Sequence, residues 1–196
     1  MRKKSHICLA RYMMANTLYR EFSPYKKSYY IGNILPDCVP SFVTTKHNME
    51  STFPMLKAEI RSLTQMAGLA AVSDRYFVRR LGVVLHYVAD YFTYPHNPIF
   101  TGSLSEHCSY EEDLKHHLRE FLSSSAATEI KRRTRCLKST EEIIQYIVCR
   151  HREYLLYRPG VDTDCRFILD VCFTVSESVM KLKVTAQPQV AFVIAA

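Results

Sequence analysis

Glycine is scarce, with five residues in 196, roughly a third of the usual ~7% share. So few flexible positions argue against many short strands joined by tight turns and favour long helices. No apolar run approaches the roughly 20 residues that span a bilayer. Arg11 interrupts the short apolar stretch Ile7–Ala10 behind the basic N-terminus, and no signal-peptide core follows. The seven cysteines (8, 38, 108, 136, 149, 165, 172) include no Cys-x-x-Cys pair. An odd, scattered set argues against a disulfide framework, so reduced and mostly buried thiols and a cytoplasmic location are expected. Also missing are Gly-x-Gly-x-x-Gly, the phosphate-binding Gly-x-x-x-x-Gly-Lys loop and the Gly-x-Ser-x-Gly elbow. No adjacent His-Asp dipeptide occurs, which removes the simplest His-Asp phosphohydrolase reading.

What is present is an ordinary globular composition, 47% apolar and 23% charged, neither disordered nor fibrous. The length suits one helical domain, placed at residues 1–185, with a short tail at 186–196. The apolar end of that tail, from Val190, is expected to pack or fray. The net charge of +7 is unevenly spread. Arg2, Lys3, Lys4, Arg11, Arg20, Lys26 and Lys27 face a single Glu21 in the first thirty residues, and Lys131–Arg135 forms a second basic run. Such patches suit an anionic partner, nucleic acid or a phospholipid surface, or are solvated faces.

The pattern along the chain predicts an all-α bundle. A first helix is expected over 7–22. Four prolines (24, 36, 40, 54) and Gly32 predict a loop-rich stretch from 23 to 54. Pro54 suits a helix start, with Met55, Leu56, Ile60, Leu63 and Ala67 along one side of 55–70. Ser73 reads as the N-cap of a strongly apolar helix running to about Tyr94, where Pro95 and Pro98 stop it. Ser109-Tyr-Glu-Glu112 resembles a capping box opening the next helix, and Ser123–Ser125 a linker. Ser139-Thr-Glu-Glu142 starts another helix that ends near Pro159-Gly160, and 162–183 forms the last. The thiols at 149, 165 and 172 are expected in helix cores. His116, His117 and His151, beside basic neighbours, are expected in solvent. Arg79-Arg80 either neutralises acidic neighbours or lines a cleft.

His86 and Asp90 stand four apart on the most apolar helix, hence one turn apart on one face. Buried unpaired they would cost several kcal/mol, so they satisfy each other or bind a metal. Tyr87 and Tyr91 point to other faces and read as packing. His96 follows just beyond the helix, and His107 with Glu111 forms a second i,i+4 pair. These are zinc-ligand types, and five of them exceed one ion's needs, which points to a multi-metal cluster. Asp37, His47 and His6 lie upstream. Taken alone they read as a turn residue, a loop histidine and a terminal polar residue.

The spacing His86-x-x-x-Asp90-x-x-x-x-x-His96 followed by His107-x-x-x-Glu111 resembles the ligand pattern of zinc-dependent phospholipase C and the related fungal-type single-strand nucleases. Gly32-Asn-Ile-Leu-Pro-Asp37, His47 and His6 fall in that family's order. The resemblance spans roughly residues 5–115, is sharpest over 86–96, and fades after about 120. It implies an all-helical fold with a zinc cluster of two or three ions in a cleft. One ion would take Asp37, His47, His86 and Asp90, and a second His96, His107 and Glu111. A third would share Asp90 and add His6 with the α-amino nitrogen. The family's Trp at position one is missing: this chain has Met1 and no Trp. Arg2 is bulky, so retention of Met1 is expected.

Paired zinc ions lower the pKa of a bridging water from about 15.7 toward neutral and neutralise phosphate oxygens, chemistry suited to phosphodiester hydrolysis by a metal-activated hydroxide. Asp37 is the expected base, or a plain ligand. The resemblance implies a phospholipid substrate, or another phosphodiester, with transient contact to a membrane surface. A single-strand nuclease acting on nucleic acid and a non-catalytic metal-binding helical protein are the alternatives. Tyr25-Lys-Lys-Ser-Tyr-Tyr30 reads as a headgroup or base contact, or as an ordinary surface loop.

Overall fold

The computed structural model describes residues 1–39, 46–66 and 72–186. The described residues form eight α-helices and no strand: α1 (Lys3–Asn16), α2 (Lys26–Ile34), α3 (Met49–Met66), α4 (Asp74–Tyr91), α5 (Leu104–Phe121), α6 (Ser125–Arg133), α7 (Thr140–Tyr154) and α8 (Val161–Thr185). Three 3₁₀ turns, Arg20–Tyr25, Leu35–Asp37 and Tyr94–His96, join them. The all-α expectation is borne out. None of the described helices is long and apolar enough to cross a membrane.

α8 is the axis. It is apolar almost all round, as a helix with neighbours on every side must be. Ile168, Leu169, Val171, Cys172, Val175 and Val179 are sealed from solvent, and each such aliphatic side chain contributes roughly 1.5–3 kcal/mol of burial. α3, α4, α5, α6 and α7 all pack on it. α4 is apolar for the same reason, closed by α8 on one side and α2 on another.

The α2–α4 crossing is unusually close because glycine sits on both sides of it. A Cβ on Gly32 would stand 2.0 Å from the carbonyl oxygen of Arg79, and one on Gly82 would stand 2.5 Å from that of Tyr29. The two backbones therefore touch, and Asn33, at the end of α2, is carried against the middle of α4.

Several boundaries differ from the sequence reading. The first helix ends at Asn16 rather than 22. Thr17 turns to extended backbone (ψ 147°), and the amide of Leu18 donates to Glu177 on α8 at 3.0 Å. The stretch read as loop contains α2, because Pro24 and Pro36 bracket a segment just long enough for nine helical residues. α3 begins six residues before Met55. Asn48 starts it, accepting the amide of Ser51 at 2.9 Å, and Pro54 forfeits only one early backbone bond. Ala67 to residue 70 lie outside the described residues, as does the tail beyond Ala186.

Ser73 caps α4 as expected, accepting from the amide of Tyr76, but the helix ends at Tyr91. The capping box of α5 is Ser103 with Glu106, not Ser109 with Glu112. Past the linker, Ser124 caps a further short helix, α6, that the sequence reading lacked. Ser139 caps α7 by accepting from the amide of Glu142. That helix stops at Tyr154, before Pro159.

Candidate metal centre

The sequence-predicted donors come from α1, α4, α5 and the three segments that precede or follow them, and they meet at one end of the bundle. His86 and Asp90 project from the buried face of α4, 0% and 1% exposed. His86 Nδ1 donates to the carbonyl oxygen of Asn33 at 2.8 Å, a partner that exists because Gly32 and Gly82 let α2 approach. That bond commits the proton to Nδ1 and leaves the Nε2 lone pair facing inward. There it stands 3.2 Å from His47 Nδ1, 3.3 Å from Asp90 Oδ2 and 3.7 Å from Asp37 Oδ1. His47 Nδ1 is in turn 3.0 Å from Asp90 Oδ2 and 3.9 Å from Asp37 Oδ1.

A second group follows the 3₁₀ turn. His96 Nδ1 lies 3.1 Å from the carbonyl oxygen of His47, so its Nε2 is the inward atom, 3.1 Å from Glu111 Oε1. His107, in the first turn of α5, brings its Nε2 to 3.2 Å from the same oxygen.

Between the two groups sits the α-amino nitrogen of Met1. It is 2.6 Å from Asp90 Oδ1, 3.1 Å from Glu111 Oε1 and 3.2 Å from His96 Nε2. His6 stacks on His86, ring centroids 3.9 Å apart, with Nε2 3.3 Å from Asp90 Oδ1. Neither ring nitrogen of His6 has hydrogen-bond geometry to any described atom, although the residue is fully buried. An orphaned buried imidazole costs about 1–3 kcal/mol.

The electrostatics express the same crowding. Burial pushes His6 down to about 3 and raises Asp37. Burial opposes charge on Asp90 as well, but the Met1 amine and the surrounding imidazoles outweigh it and hold that carboxyl well below its usual range. For the amine, Asp90 and Glu111 outweigh burial and raise its pKa. Among the described residues, three triads have ligand atoms within 4.8 Å of one another: His6, Asp37 and His86; His47, His86 and Asp90; His96, His107 and Glu111.

This donor set fits zinc. It supplies only imidazole nitrogen and carboxylate oxygen besides the amine, two of its imidazoles are anchored through their outer nitrogens to backbone carbonyls, and the buried His6 ring has no hydrogen bond to a described atom. A cation among them would replace close lone-pair contacts with coordination.

The model of the zinc-dependent phospholipase C family matches residues 5–160, most of the chain. The chain belongs to the zinc-dependent phospholipase C family. No curated protein and no solved structure matched it. The family match supports a phospholipid-directed hydrolase and a zinc cofactor at family level.

Other sequence readings fare unevenly around this cluster. Tyr87 and Tyr91 are fully buried, and Tyr91 shares a hydrogen bond with Thr52 at 2.8 Å, so packing holds for it. Tyr87 lies edge-on to His47, its hydroxyl buried without a partner, and burial pushes its pKa to about 12. Tyr29, read as a headgroup or base contact, is sealed in the core, and no residue from 25 to 30 lines the cleft among those described. Arg80 pairs with Glu59 away from the site.

His116 is exposed, as expected, and His117 is half-buried beside Asp162. His151 is not: it is 8% exposed and sits 2.8 Å from Asn97 Oδ1. Its signal was the spacing Ile143, Ile147, His151, one helix face, outvoted by Arg150 and Arg152. Cys165 and Cys172 are buried, but Cys149 is exposed and unpaired. Asn33 acts through its carbonyl, which no side-chain pattern reveals.

Proposed function

We propose that the chain is a zinc-dependent phosphodiester hydrolase of phospholipase C type, working in the cleft of about 1020 Å³ that Asp37, His47, His96, His107 and Glu111 line. The observation that carries this is the convergence on Asp90 of nitrogen donors as far apart in sequence as Met1, His6, His47 and His86, which meet both of its oxygens. In this reading Asp37, His47, His86 and Asp90 hold one ion. His96, His107 and Glu111 hold a second, and His6 with the Met1 amine and Asp90 a third. Zinc bound there supplies Lewis acidity and a lowered water pKa.

The chain's own residues do the rest. Asn33 and the carbonyl of His47 orient the imidazoles of His86 and His96. Asp37 is the most exposed of the three carboxylates, its pKa raised by burial, and it stands at the cleft wall where its Oδ1 can hold a proton drawn from water. Glu111 and Asp90 balance positive charge while the substrate phosphate replaces solvent. The substrate is a phospholipid reached by transient contact with a membrane surface. Seven unpaired thiols fit a reducing compartment, the cytoplasm.

The test is metal content together with turnover. Full-length protein purified without chelators is expected to carry about two or three zinc ions per chain and to hydrolyse short-chain phospholipids. His6→Ala is expected to lose about one ion, and His86→Ala to lose more than about 100-fold in turnover, since even an outer partner of a ligand is worth 10–100-fold. Absence of zinc overturns the reading. Zinc without turnover on phospholipids or single-stranded DNA makes the chain a metal-binding helical protein, and turnover on DNA alone makes it a nuclease.

A further inference from the structure

Around the candidate ligands the cleft is basic. Arg2, Lys3, Lys4, Lys46 and Lys115 line it, while Glu50 is the one lining carboxylate besides Asp37 and Glu111 among the described residues. Glu112 pairs with both Arg2 and Lys115, and Arg2 also donates to the carbonyl oxygen of Cys108 at 3.0 Å, so two of these cations are fixed on α5. Among the described residues no carboxylate pairs with Lys3, Lys4 or Lys46, and all three are exposed. No Tyr, Phe or Trp lines the cleft among the described residues. Quaternary ammonium groups are bound by aromatic faces and carboxylates. Among the described residues a choline headgroup would find neither an aromatic box nor enough carboxylate, and would bring its cation toward a like-charged rim.

We infer that the cleft selects a phosphodiester whose headgroup carries net negative charge, a phosphorylated polyol on glycerol, rather than a zwitterionic choline. This rests on the cleft being the phosphodiester site proposed above. Lys3, Lys4 and Lys46 act as specificity-determining residues: they attract and hold the second phosphate while the diester sits among the candidate ligands. Their action is electrostatic through partly open solvent, so it weakens as salt shortens the Debye length from about 10 Å at 0.1 M to about 3 Å at 1 M.

The test uses the zinc-loaded full chain and soluble deacylated probes in calorimetric titrations: glycerophosphoinositol 4-phosphate, glycerophosphocholine, a single-stranded dinucleotide and inorganic phosphate. The inositol phosphate is expected to bind at least about tenfold tighter than the choline diester near 0.1 M salt, with the gap closing toward 1 M. The combined Lys3→Glu, Lys4→Glu, Lys46→Glu variant, altering exposed side chains, is expected to keep its melting temperature and lose the gap.

Choline binding as tight as the inositol phosphate overturns the inference. So does a gap that survives charge reversal, or equal binding of the dinucleotide or of inorganic phosphate. Hydrolysis of the parent lipids separates the two claims. A preference for the anionic headgroup without any hydrolysis upholds this inference and removes the hydrolase; faster hydrolysis of the choline lipid does the reverse.

Discussion

At the scale of single residues, His151 shows how a side chain outside the donor set governs one inside it. Its Nε2 meets Asn97 Oδ1, and the Asn97 amide donates to the carbonyls of Tyr91 (3.1 Å) and Thr93 (2.9 Å), pinning the turn that delivers His96. Burial pushes His151 down to about 4. The unfolded chain takes up its proton near 6.5. The stability contributed by the neutral ring is therefore complete above that pH and is lost as pH falls from 6.5 through 4, by at most about 3 kcal/mol. His151→Gln keeps a donor for Asn97 and removes the titration. Urea unfolding between pH 7 and 4 is expected to show a shallower loss of stability in this variant than in the wild type. Parallel curves would refute the assignment.

The residues of the site were legible to different degrees. His86 and Asp90 follow from helical spacing in an apolar segment. Asp37, His47 and His6 do not, since each alone is an ordinary loop or terminal residue, and the family pattern singled them out. The oxygens of Asn33 and His47 that orient the rings belong to the backbone, which every residue has.

Among elements, the α2–α4 contact matters most for the site. α2 lay in a stretch whose prolines suggested loop, because proline statistics mark where helices cannot continue and say little about the short spans between. Once formed, α2 rests on α4 through Gly32 and Gly82. Gly32→Ala inserts a methyl group 2.0 Å from a backbone oxygen, so the helices must separate. We expect a stability loss of about 1–3 kcal/mol, typical of overpacking, together with weaker zinc retention, because the Asn33 carbonyl moves off His86. Competition with a chromogenic chelator measures the second effect, and unchanged metal affinity would show that the contact is only structural. Most other elements were readable from caps and periodicity. The shift of the α5 capping box to Ser103 reflects two Ser-x-x-Glu matches in one segment, of which the earlier satisfies the helix start.

For the molecule as a whole, the fold class and the long helices were apparent from scarce glycine and helical periodicity, while packing order was not, since α8 draws neighbours from five helices, α3 to α7. The donor cluster ties α1, α4 and α5 together, and within it the buried His6 ring has no hydrogen bond to a described atom while like groups crowd. Zinc binding should therefore stabilise the fold. A ligand at about 100 times its Kd adds roughly 2.7 kcal/mol, which for a domain of this size raises Tm by about 5–10 °C. Calorimetric scans are expected to show that shift reversed by a chelator and restored by zinc. A Tm indifferent to both would mean that the cluster holds no metal.

His47 serves both donor groups at once, its ring facing His86 and Asp90 and its carbonyl supporting His96. Exchange of its side chain and displacement of its peptide are thus unequal injuries. An alanine there removes one donor yet spares the prop beneath the neighbouring ring, whereas a protease nick that let this stretch of main chain drift would unseat both halves together.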